Sequence, residues 1–214
     1  MKMDAIIFDL DGTLWNSSDS IMKAWNKVFA ERHINYVLTK DKLKNIFGKT
    51  NDVIANECFP NLSLKERTDV INACALEEVK VLNLYGGKLY DNISETLKDL
   101  HKEYKLMIVS NCQEGYIEAF LNYHKLNDCF DDIECNGKTG LDKAGNIKLI
   151  IERNQIKRAI YVGDTIIDYE SAKDNNIPFI RTTYGFGKFY CKYKIDNFKD
   201  IKKIIKEIEK DTND

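Results

Sequence analysis

A short apolar run near the N-terminus ends in two aspartates, and this feature restricts the possible folds more than any other. Ala5–Phe8 combine small, β-branched and aromatic side chains, as in a strand buried on both faces. Asp9 and Asp11 follow, and Gly12 breaks the run. We therefore expect a buried strand of an open α/β sheet with both carboxylates at its carboxyl end, where ligands bind in such sheets. An ordinary Asp-Gly turn after a strand is the alternative interpretation.

Composition excludes several classes of protein. The 214 residues carry 32 basic and 34 acidic side chains, so the net charge of −2 gives no general attraction for nucleic acid or an anionic membrane, and we expect neither partner. No apolar run approaches the roughly 18 residues that a membrane span requires, and the N-terminus leads directly into the first strand instead of a signal peptide. The six cysteines show no metal-binding spacing. We expect a cytoplasmic protein with reduced thiols.

The sequence pattern changes near residue 15 and again near residue 86. Residues 15–86 show apolar residues at helical spacing and no strand-like alternation, beginning with a helix over about 20–32 that follows several candidate N-caps. Gly86 and Gly87 mark the end of this stretch. We therefore predict an all-helical cap domain over 15–86, inserted into a core domain formed by 1–14 and 87–214.

The remainder of the chain alternates between strands and helices. Predicted strands cover 106–109, 130–135, 159–162 and 179–183, and predicted helices cover 94–104, 114–123, 146–153, 168–174 and an amphipathic segment over 201–208. Alternation with connections of this length implies parallel pairing with right-handed crossovers. The predicted core is a doubly wound, Rossmann-like parallel sheet of the α/β class.

Polar residues follow the other predicted strands. Ser110 and Asn111 follow one strand, and Asp164 follows another, with Asp168 four residues further. In a parallel sheet these residues converge with the first two aspartates at one edge. A divalent cation with oxygen ligands would offset this negative charge, and Mg²⁺ commonly binds together with a substrate phosphate. We therefore expect a magnesium ion and a phosphorylated substrate.

The paired aspartates predict phosphoryl transfer. One ionised carboxylate can attack phosphorus, and the other can protonate the leaving oxygen and then activate water. A lysine is also needed to offset negative charge in the transition state. Lys138 and Lys143 are the candidates that precede the strand of Asp164.

These motifs resemble those of the haloacid dehalogenase superfamily. Asp9–Leu14 resembles its first motif, Ser110-Asn111 its second, and Gly163-Asp164 with Asp168 its fourth. Asp11 resembles the phosphotransferase branches and not the dehalogenases. The helical insertion resembles the cap of the phosphoglycolate phosphatase and β-phosphoglucomutase branch, which would close over the site and exclude water.

The resemblance implies a role for each residue of the site. Asp9 would be the nucleophile and Asp11 the general acid/base. The implied substrate- and phosphate-binding residues are Gly12, Thr13, Ser110 and Asn111. The implied magnesium ligands are Asp9, the main-chain carbonyl of Asp11, Asp164 and Asp168, the last directly or through water. The usual Lys-Pro dipeptide of the third motif is missing, and we favour Lys143 over Lys138 because it directly precedes the helix predicted to begin near Asn146.

The predicted function is a magnesium-dependent phosphatase of small phosphorylated metabolites, similar to phosphoglycolate phosphatase and acting through an aspartyl-phosphate on Asp9. A sugar-phosphate mutase and a non-catalytic phosphate-binding protein are the alternatives. Lys49, in the loop Phe47–Thr50, is either a substrate-binding residue or a solvated lysine. The loop Gly185–Lys188 is expected to border the site, and Cys112 lies next to the Ser-Asn pair without an identifiable histidine partner. We expect a monomer or a homodimer.

Overall fold

The computed structural model describes residues 2–211, which contain eight strands and ten α-helices. The strands are β1 (Ala5–Phe8), β2 (Trp15–Asn16), β3 (Lys88–Leu89), β4 (Lys105–Ser110), β5 (Asp132–Cys135), β6 (Ala159–Gly163), β7 (Phe179–Thr182) and β8 (Lys194–Ile195). The helices are α1 (Ser18–Glu31), α2 (Lys40–Lys44), α3 (Asn51–Cys58), α4 (Leu64–Tyr85), α5 (Ile93–Leu100), α6 (Tyr116–His124), α7 (Asn136–Thr139), α8 (Lys143–Arg153), α9 (Ile166–Asp174) and α10 (Ile201–Asp211). Short 3₁₀ helices occupy Asn127–Cys129 and Phe198–Asp200.

Six of the strands in the described chain form one sheet in the order β5-β4-β1-β6-β7-β8, and every neighbouring pair is parallel. Ala5 of β1 lies opposite Lys105 of β4 on one side and opposite Ala159 of β6 on the other. Successive side chains of β1 enter different hydrophobic clusters: Ile6 packs on one face of the sheet and Ile7 on the other. Both faces are covered, and the predicted doubly wound α/β fold is confirmed.

A second, two-stranded sheet was not predicted. Trp15 of β2 pairs with Leu89 of β3 in antiparallel register, so a short ribbon joins the chain where it leaves the core and where it returns. Each strand has only two residues, which is too short to produce an alternating pattern in the sequence. β8, also two residues long, escaped prediction for the same reason.

Four consecutive helices, α1–α4, fill the segment between β2 and β3. α1 begins at Ser18, two residues earlier than predicted, and ends at Glu31, one residue earlier than predicted. Its buried face packs against α4. α4 begins with a capping box between Ser63 and Glu66, and it also contacts α6 of the core. Across residues 2–211, no helix combines the length and apolar character that crossing a membrane requires.

Two helix starts near the sheet edge differ from the prediction because of capping. α8 begins at Lys143 and not near Asn146, since the Asp142 side chain accepts a hydrogen bond of 2.7 Å from the Gly145 amide. α9 begins at Ile166, because Thr165 and Asp168 form a capping box. Asp168 therefore lies inside the first turn of its helix.

Candidate active site

The carboxyl ends of three adjacent strands meet at one edge of the sheet. Asp9 follows β1, Asp164 follows β6, and β4 ends in Ser110, which Asn111 follows. Because β1 lies between β4 and β6, these side chains converge as the sequence predicted. All four are buried. Burial of polar groups ordinarily requires partners, and the contacts below supply them for some of these atoms and leave others free.

Lys143 links two of the aspartates. Its ammonium group donates to Oδ1 of Asp9 at 2.7 Å and also bonds to Oδ1 of Asp168. The lysine side chain is 1 % exposed. Although burial alone would lower it, the carboxylates of Asp168 and Asp9 raise the pKa of Lys143, so this side chain is a fully charged cation. The side chain of Lys138, the alternative candidate, is 52 % exposed, and its Nζ lies 3.9 Å from Oε1 of Glu134.

Asp164 is held from one side by a loop that follows β7. Its Oδ2 accepts hydrogen bonds from the amides of Phe186 at 2.6 Å and Gly187 at 3.3 Å, whereas its buried Oδ1 has no hydrogen-bond partner among residues 2–211. Burial, and then the neighbouring Asp168, raise the pKa of Asp164 to about 7. The loop Gly185–Lys188 thus borders the site, as expected. Its amide contacts were not foreseen, because no side-chain pattern in the sequence encodes them.

A group of carboxylates is suited to a divalent cation. One oxygen from each of Asp9, Asp164 and Asp168 lies within 4.8 Å of the others, and all three residues are buried. The unpartnered Oδ1 of Asp164 offers a free ligand atom of the hard type that Mg²⁺ prefers. Asp168 is more fully engaged, since its Oδ2 accepts from the Thr165 amide at 2.8 Å while Oδ1 binds Lys143. These residues fit a metal ion, with Asp168 also serving to position the lysine.

Asp11 points away from this carboxylate group. Its Oδ1 accepts a hydrogen bond from the Ser17 hydroxyl, and the Tyr116 hydroxyl donates in turn to Ser17 at 2.9 Å. Burial raises the pKa of Asp11 to about 6, against the lowering effect of Ser17. A carboxyl group with such a pKa can hold or release a proton near neutral pH. Ser17 lies in the polar stretch before α1 that offered several candidate N-caps, but its hydroxyl binds Asp11 and makes no capping hydrogen bond to the helix.

Gly12 and Thr13 complete the turn after the first strand. Gly12 has a positive φ of 84°, and a Cβ at this position would collide with the Asp164 carboxylate, so only glycine permits the close approach. The buried Thr13 hydroxyl has no hydrogen-bond partner in the described part of the chain. Thr13 is fully buried and is not among the residues that line the cavity beside Asp9, so its contact with a substrate stays a prediction.

The loop between α2 and α3 contacts the core at the same edge. The Asn111 amide group donates to the Gly48 carbonyl at 2.8 Å, and the Phe47 ring stacks on Phe186 with centroids 4.2 Å apart and planes 4° apart. The neighbouring Lys49 lines the cavity above Asp9, but its ammonium group binds Glu57 at 2.7 Å. Lys49 therefore lines the cavity, but its ammonium group is paired with a carboxylate of the protein.

Glu78 is a site residue that the sequence analysis did not single out. It lies on α4, is 5 % exposed, and lines the same cavity as Asp9 and Asp11. One signal could have revealed it, because it shares the buried face of its helix with Cys74, Val81 and Leu82. A glutamate on an apolar helix face is exceptional and indicates either a buried partner or a ligand.

Cys112 lines this cavity as well, and burial together with the adjacent Cys135 raises the pKa of its thiol well above the ordinary value. A thiol with a raised pKa is a poor nucleophile. Cys112 is therefore not suited to attack a substrate.

Comparison with known proteins agrees with this geometry. The haloacid dehalogenase-like hydrolase family matches residues 6–182. A pyrophosphatase named PpaX from Listeria monocytogenes is 28% identical over 97% of this chain and 99% of its own length, and a phosphoglycolate phosphatase from Aquifex aeolicus is 28% identical over 87% of each. The crystal structure of a predicted phosphatase from Clostridium acetobutylicum covers 98% of this chain and 100% of that chain, with 26% identity and a TM-score of 0.81.

The chain belongs to the haloacid dehalogenase-like hydrolase family. The resemblance predicted from the motifs, including the likeness to phosphoglycolate phosphatases, is confirmed, and so is the prediction of an enzyme of the phosphatase class. The site described above is the part of the fold where such an activity would reside, since it gathers the carboxylates and the lysine at the carboxyl edge of the sheet.

Proposed function

We propose that this protein is a magnesium-dependent phosphatase that hydrolyses small phosphorylated metabolites through an aspartyl-phosphate on Asp9. The observation that carries the proposal is the contact of Asp9 with the buried ammonium group of Lys143, 2.7 Å away, at the edge where Asp164 and Ser110 also lie. The lysine and two neighbouring strand ends surround one carboxylate, and this arrangement supports a role as nucleophile.

In the first half-reaction, a carboxylate oxygen of Asp9 forms a bond to phosphorus while the bond between phosphorus and the leaving oxygen breaks. Asp11 donates its proton to that leaving oxygen, so the alcohol departs neutral. In the second half-reaction, Asp11 accepts a proton from water as the water oxygen attacks phosphorus. The bond from Asp9 to phosphorus then breaks, which releases inorganic phosphate and restores both carboxyl groups.

The surrounding residues hold the phosphoryl group. Ser110 and Asn111 line the cavity beside Asp9, where the Ser110 hydroxyl and the Asn111 amide N–H groups are the donors that could reach a phosphoryl oxygen. Burial raises the pKa of Asp9 well above its usual value, and Lys143 opposes this shift and orients the carboxylate. The positive charge of Lys143 also offsets charge on the phosphoryl oxygens. Gly12 and Thr13 would contact the same group from the turn after β1.

A magnesium ion would be held by Asp9, the main-chain carbonyl of Asp11, and Asp164, with Asp168 assisting directly or through water. When bound, it supplies positive charge that stabilises the phosphoryl oxygens in the transition state. The buried carboxylate oxygens of Asp9, Asp164 and Asp168, mutually within 4.8 Å, support this assignment.

We further propose that residues 15–86 act as a cap over the site. The stack of Phe47 on Phe186 and the hydrogen bond from Asn111 to Gly48 support this role, since they join the helical segment to the core beside the catalytic aspartates. Covering the site in this way excludes bulk water while the leaving group is still bound. Lys49 lines the cavity but is held by Glu57, so we propose no substrate contact for it.

Phosphate release from a set of phosphomonoesters, with Mg²⁺ present or removed by chelation, tests the proposal. We expect turnover that requires Mg²⁺ and disappears almost completely in D9N, while circular dichroism shows the variant folded. Hydrolysis of p-nitrophenyl phosphate by D9N at the wild-type rate would overturn the mechanism. Return of the phosphoryl group to a sugar phosphate without phosphate release would support the mutase alternative instead.

A further inference from the structure

Glu78 is a buried carboxylate on the wall of the cavity that Asp9 and Asp11 also line. The cavity, with a volume of about 60 Å³, extends from Asp9 and Asp11 to helices α1, α3 and α4. The apolar part of its wall includes Ile21, Leu43, Ile46 and Ile54. Glu78 adds a carboxylate to the part of the cavity that α1 and α4 enclose, where the leaving group of a phosphomonoester bound at Asp9 would lie.

The hydrogen bonds of Glu78 define its state. The Trp25 indole N–H donates to Oε1, and the Gln113 side-chain amide donates to Oε2. Both oxygens therefore act as acceptors, as suits the carboxylate above its raised pKa of about 7, where it is ionised. Each oxygen can accept a further hydrogen bond, so the carboxylate retains capacity for a donor on a ligand.

No cation of the described residues compensates this carboxylate. Within residues 2–211, no lysine, arginine or histidine lies within ion-pair distance of Glu78. Lys49, the only cation among the lining residues of the described chain, is held by both oxygens of Glu57 at 2.7 and 2.8 Å. The leaving-group end of the cavity is therefore negative, and a second anion placed there would be repelled.

We propose that Glu78 is a specificity-determining residue that accepts a hydrogen bond from the leaving group and discriminates against leaving groups that carry an anion. This inference rests on the proposed function and narrows its substrates to phosphomonoesters whose leaving group carries a hydrogen-bond donor, either a neutral hydroxyl or an ammonium group. The relatives named phosphoglycolate phosphatase and pyrophosphatase differ in this respect, because glycolate and phosphate leaving groups are anionic.

The test compares kcat/KM for four substrates with Mg²⁺ at pH 8. Glycerol phosphate carries a neutral hydroxyl, phosphoethanolamine carries an ammonium group, and 2-phosphoglycolate and pyrophosphate carry anions. We expect the wild-type protein to favour the first pair over the second by at least about tenfold, the size of effect that one like-charge contact can produce. A higher kcat/KM for phosphoethanolamine than for glycerol phosphate would show that Glu78 prefers an ammonium donor on the leaving group. A higher kcat/KM for glycerol phosphate would show that it prefers a hydroxyl donor.

E78Q removes the charge and keeps the shape of the side chain. We expect it to raise kcat/KM for 2-phosphoglycolate relative to glycerol phosphate by about tenfold or more, since the repulsion is removed while an acceptor oxygen remains. E77Q is the matched control, because Glu77 is the preceding residue on α4 but binds Lys27 outside the cavity. This control should leave the ratio unchanged.

Two results would overturn the inference. Wild-type protein that hydrolyses 2-phosphoglycolate or pyrophosphate as efficiently as glycerol phosphate would contradict it without any variant, whether or not E78Q folds. An equal decrease in kcat/KM for all four substrates in E78Q would show that Glu78 has a purely structural role. Failure of the proposed function is distinguishable from both, since it would appear as no phosphate release from any substrate, including p-nitrophenyl phosphate.

Discussion

The ammonium group of Lys143 lies 2.7 Å from Oδ1 of Asp9, although 134 residues separate the two in the chain. Both side chains are buried, and the same ammonium group also binds Asp168. The contact arises because α8 begins at Lys143 and directs its first residue toward the end of the central strand β1. The pair thus unites the proposed nucleophile with the cation that opposes the raising effect of burial on the pKa of Asp9.

Replacing Lys143 by methionine should reduce kcat by at least about 10²-fold, because a charge that stabilises the transition state is lost. The Asp9 and Asp168 carboxylates would also remain buried without their cation, which should lower the free energy of unfolding by about 3–5 kcal/mol. Urea denaturation without Mg²⁺ and steady-state kinetics with Mg²⁺ measure the two effects. K138M is the control, since its exposed side chain should change stability by less than about 0.5 kcal/mol and leave kcat intact. Similar losses in both variants would contradict the assignment.

Replacing Asp11 by asparagine should separate the two half-reactions. With p-nitrophenyl phosphate as substrate, the nitrophenolate group leaves without protonation. We therefore expect D11N to release about one equivalent of nitrophenolate per enzyme rapidly. Subsequent turnover should be slow, because water is no longer activated to hydrolyse the aspartyl-phosphate. Turnover of glycerol phosphate should fall by about 10²- to 10⁴-fold. Stopped-flow absorbance measures the burst. S17A, which keeps the carboxylate but removes its hydrogen-bond donor, should show a smaller loss and no burst. Unchanged steady-state turnover in D11N would exclude the acid/base role.

The Phe47–Phe186 stack should contribute to substrate retention. An aromatic pair of this kind contributes about 0.5–1.5 kcal/mol beyond its buried area, so F186A should raise KM by about 2- to 10-fold if the stack holds the cap over bound substrate. The Phe186 amide that binds Asp164 belongs to the backbone and is retained in this variant. Y190A, which removes a ring that is 90 % exposed and follows the same loop, should leave KM unchanged. Equal KM values for F186A and wild type would show that the stack does not restrain the cap.

Glu78 should make stability depend on pH. Burial raises its pKa from 4.5 to about 7, so the folded protein binds its proton more tightly than the unfolded chain does. The contribution of Glu78 to the free energy of unfolding is therefore most favourable below about pH 4.5 and is lost as pH rises toward 7. The two limits differ by about 3 kcal/mol. E78Q cannot ionise, and its stability relative to wild type should increase between pH 5 and 8 by up to this amount.

Urea denaturation of both proteins at several pH values provides the measurement. E77Q serves again as the control, because Lys27 lowers the pKa of Glu77, so this carboxylate affects the pH dependence of stability only below about pH 4.5. The stability difference between E77Q and wild type should therefore stay constant from pH 5 to 8. A stability difference between E78Q and wild type that stays constant from pH 5 to 8 would show that Glu78 does not carry the buried charge.

The motifs predicted most of the elements that position the site. The apolar runs of β1, β4 and β6 are buried on both faces, so their hydrophobic pattern is continuous and visible in the sequence. The placement of Asp9, Ser110 and Asp164 at one edge then follows from parallel pairing alone. The two-residue strands escaped prediction because they are stabilised by pairing and not by a local pattern.

The opening run, Ala5–Phe8 followed by Asp9 and Asp11, was sufficient to predict a buried strand with carboxylates at its end, because burial and strand geometry are local properties of the residues. It could not assign a partner to either carboxylate. Contacts between distant side chains direct Asp9 to Lys143 and Asp11 to Ser17, and they place Glu78 over the same cavity. Those contacts depend on where α1, α4 and α8 pack against the sheet, which only the tertiary structure determines.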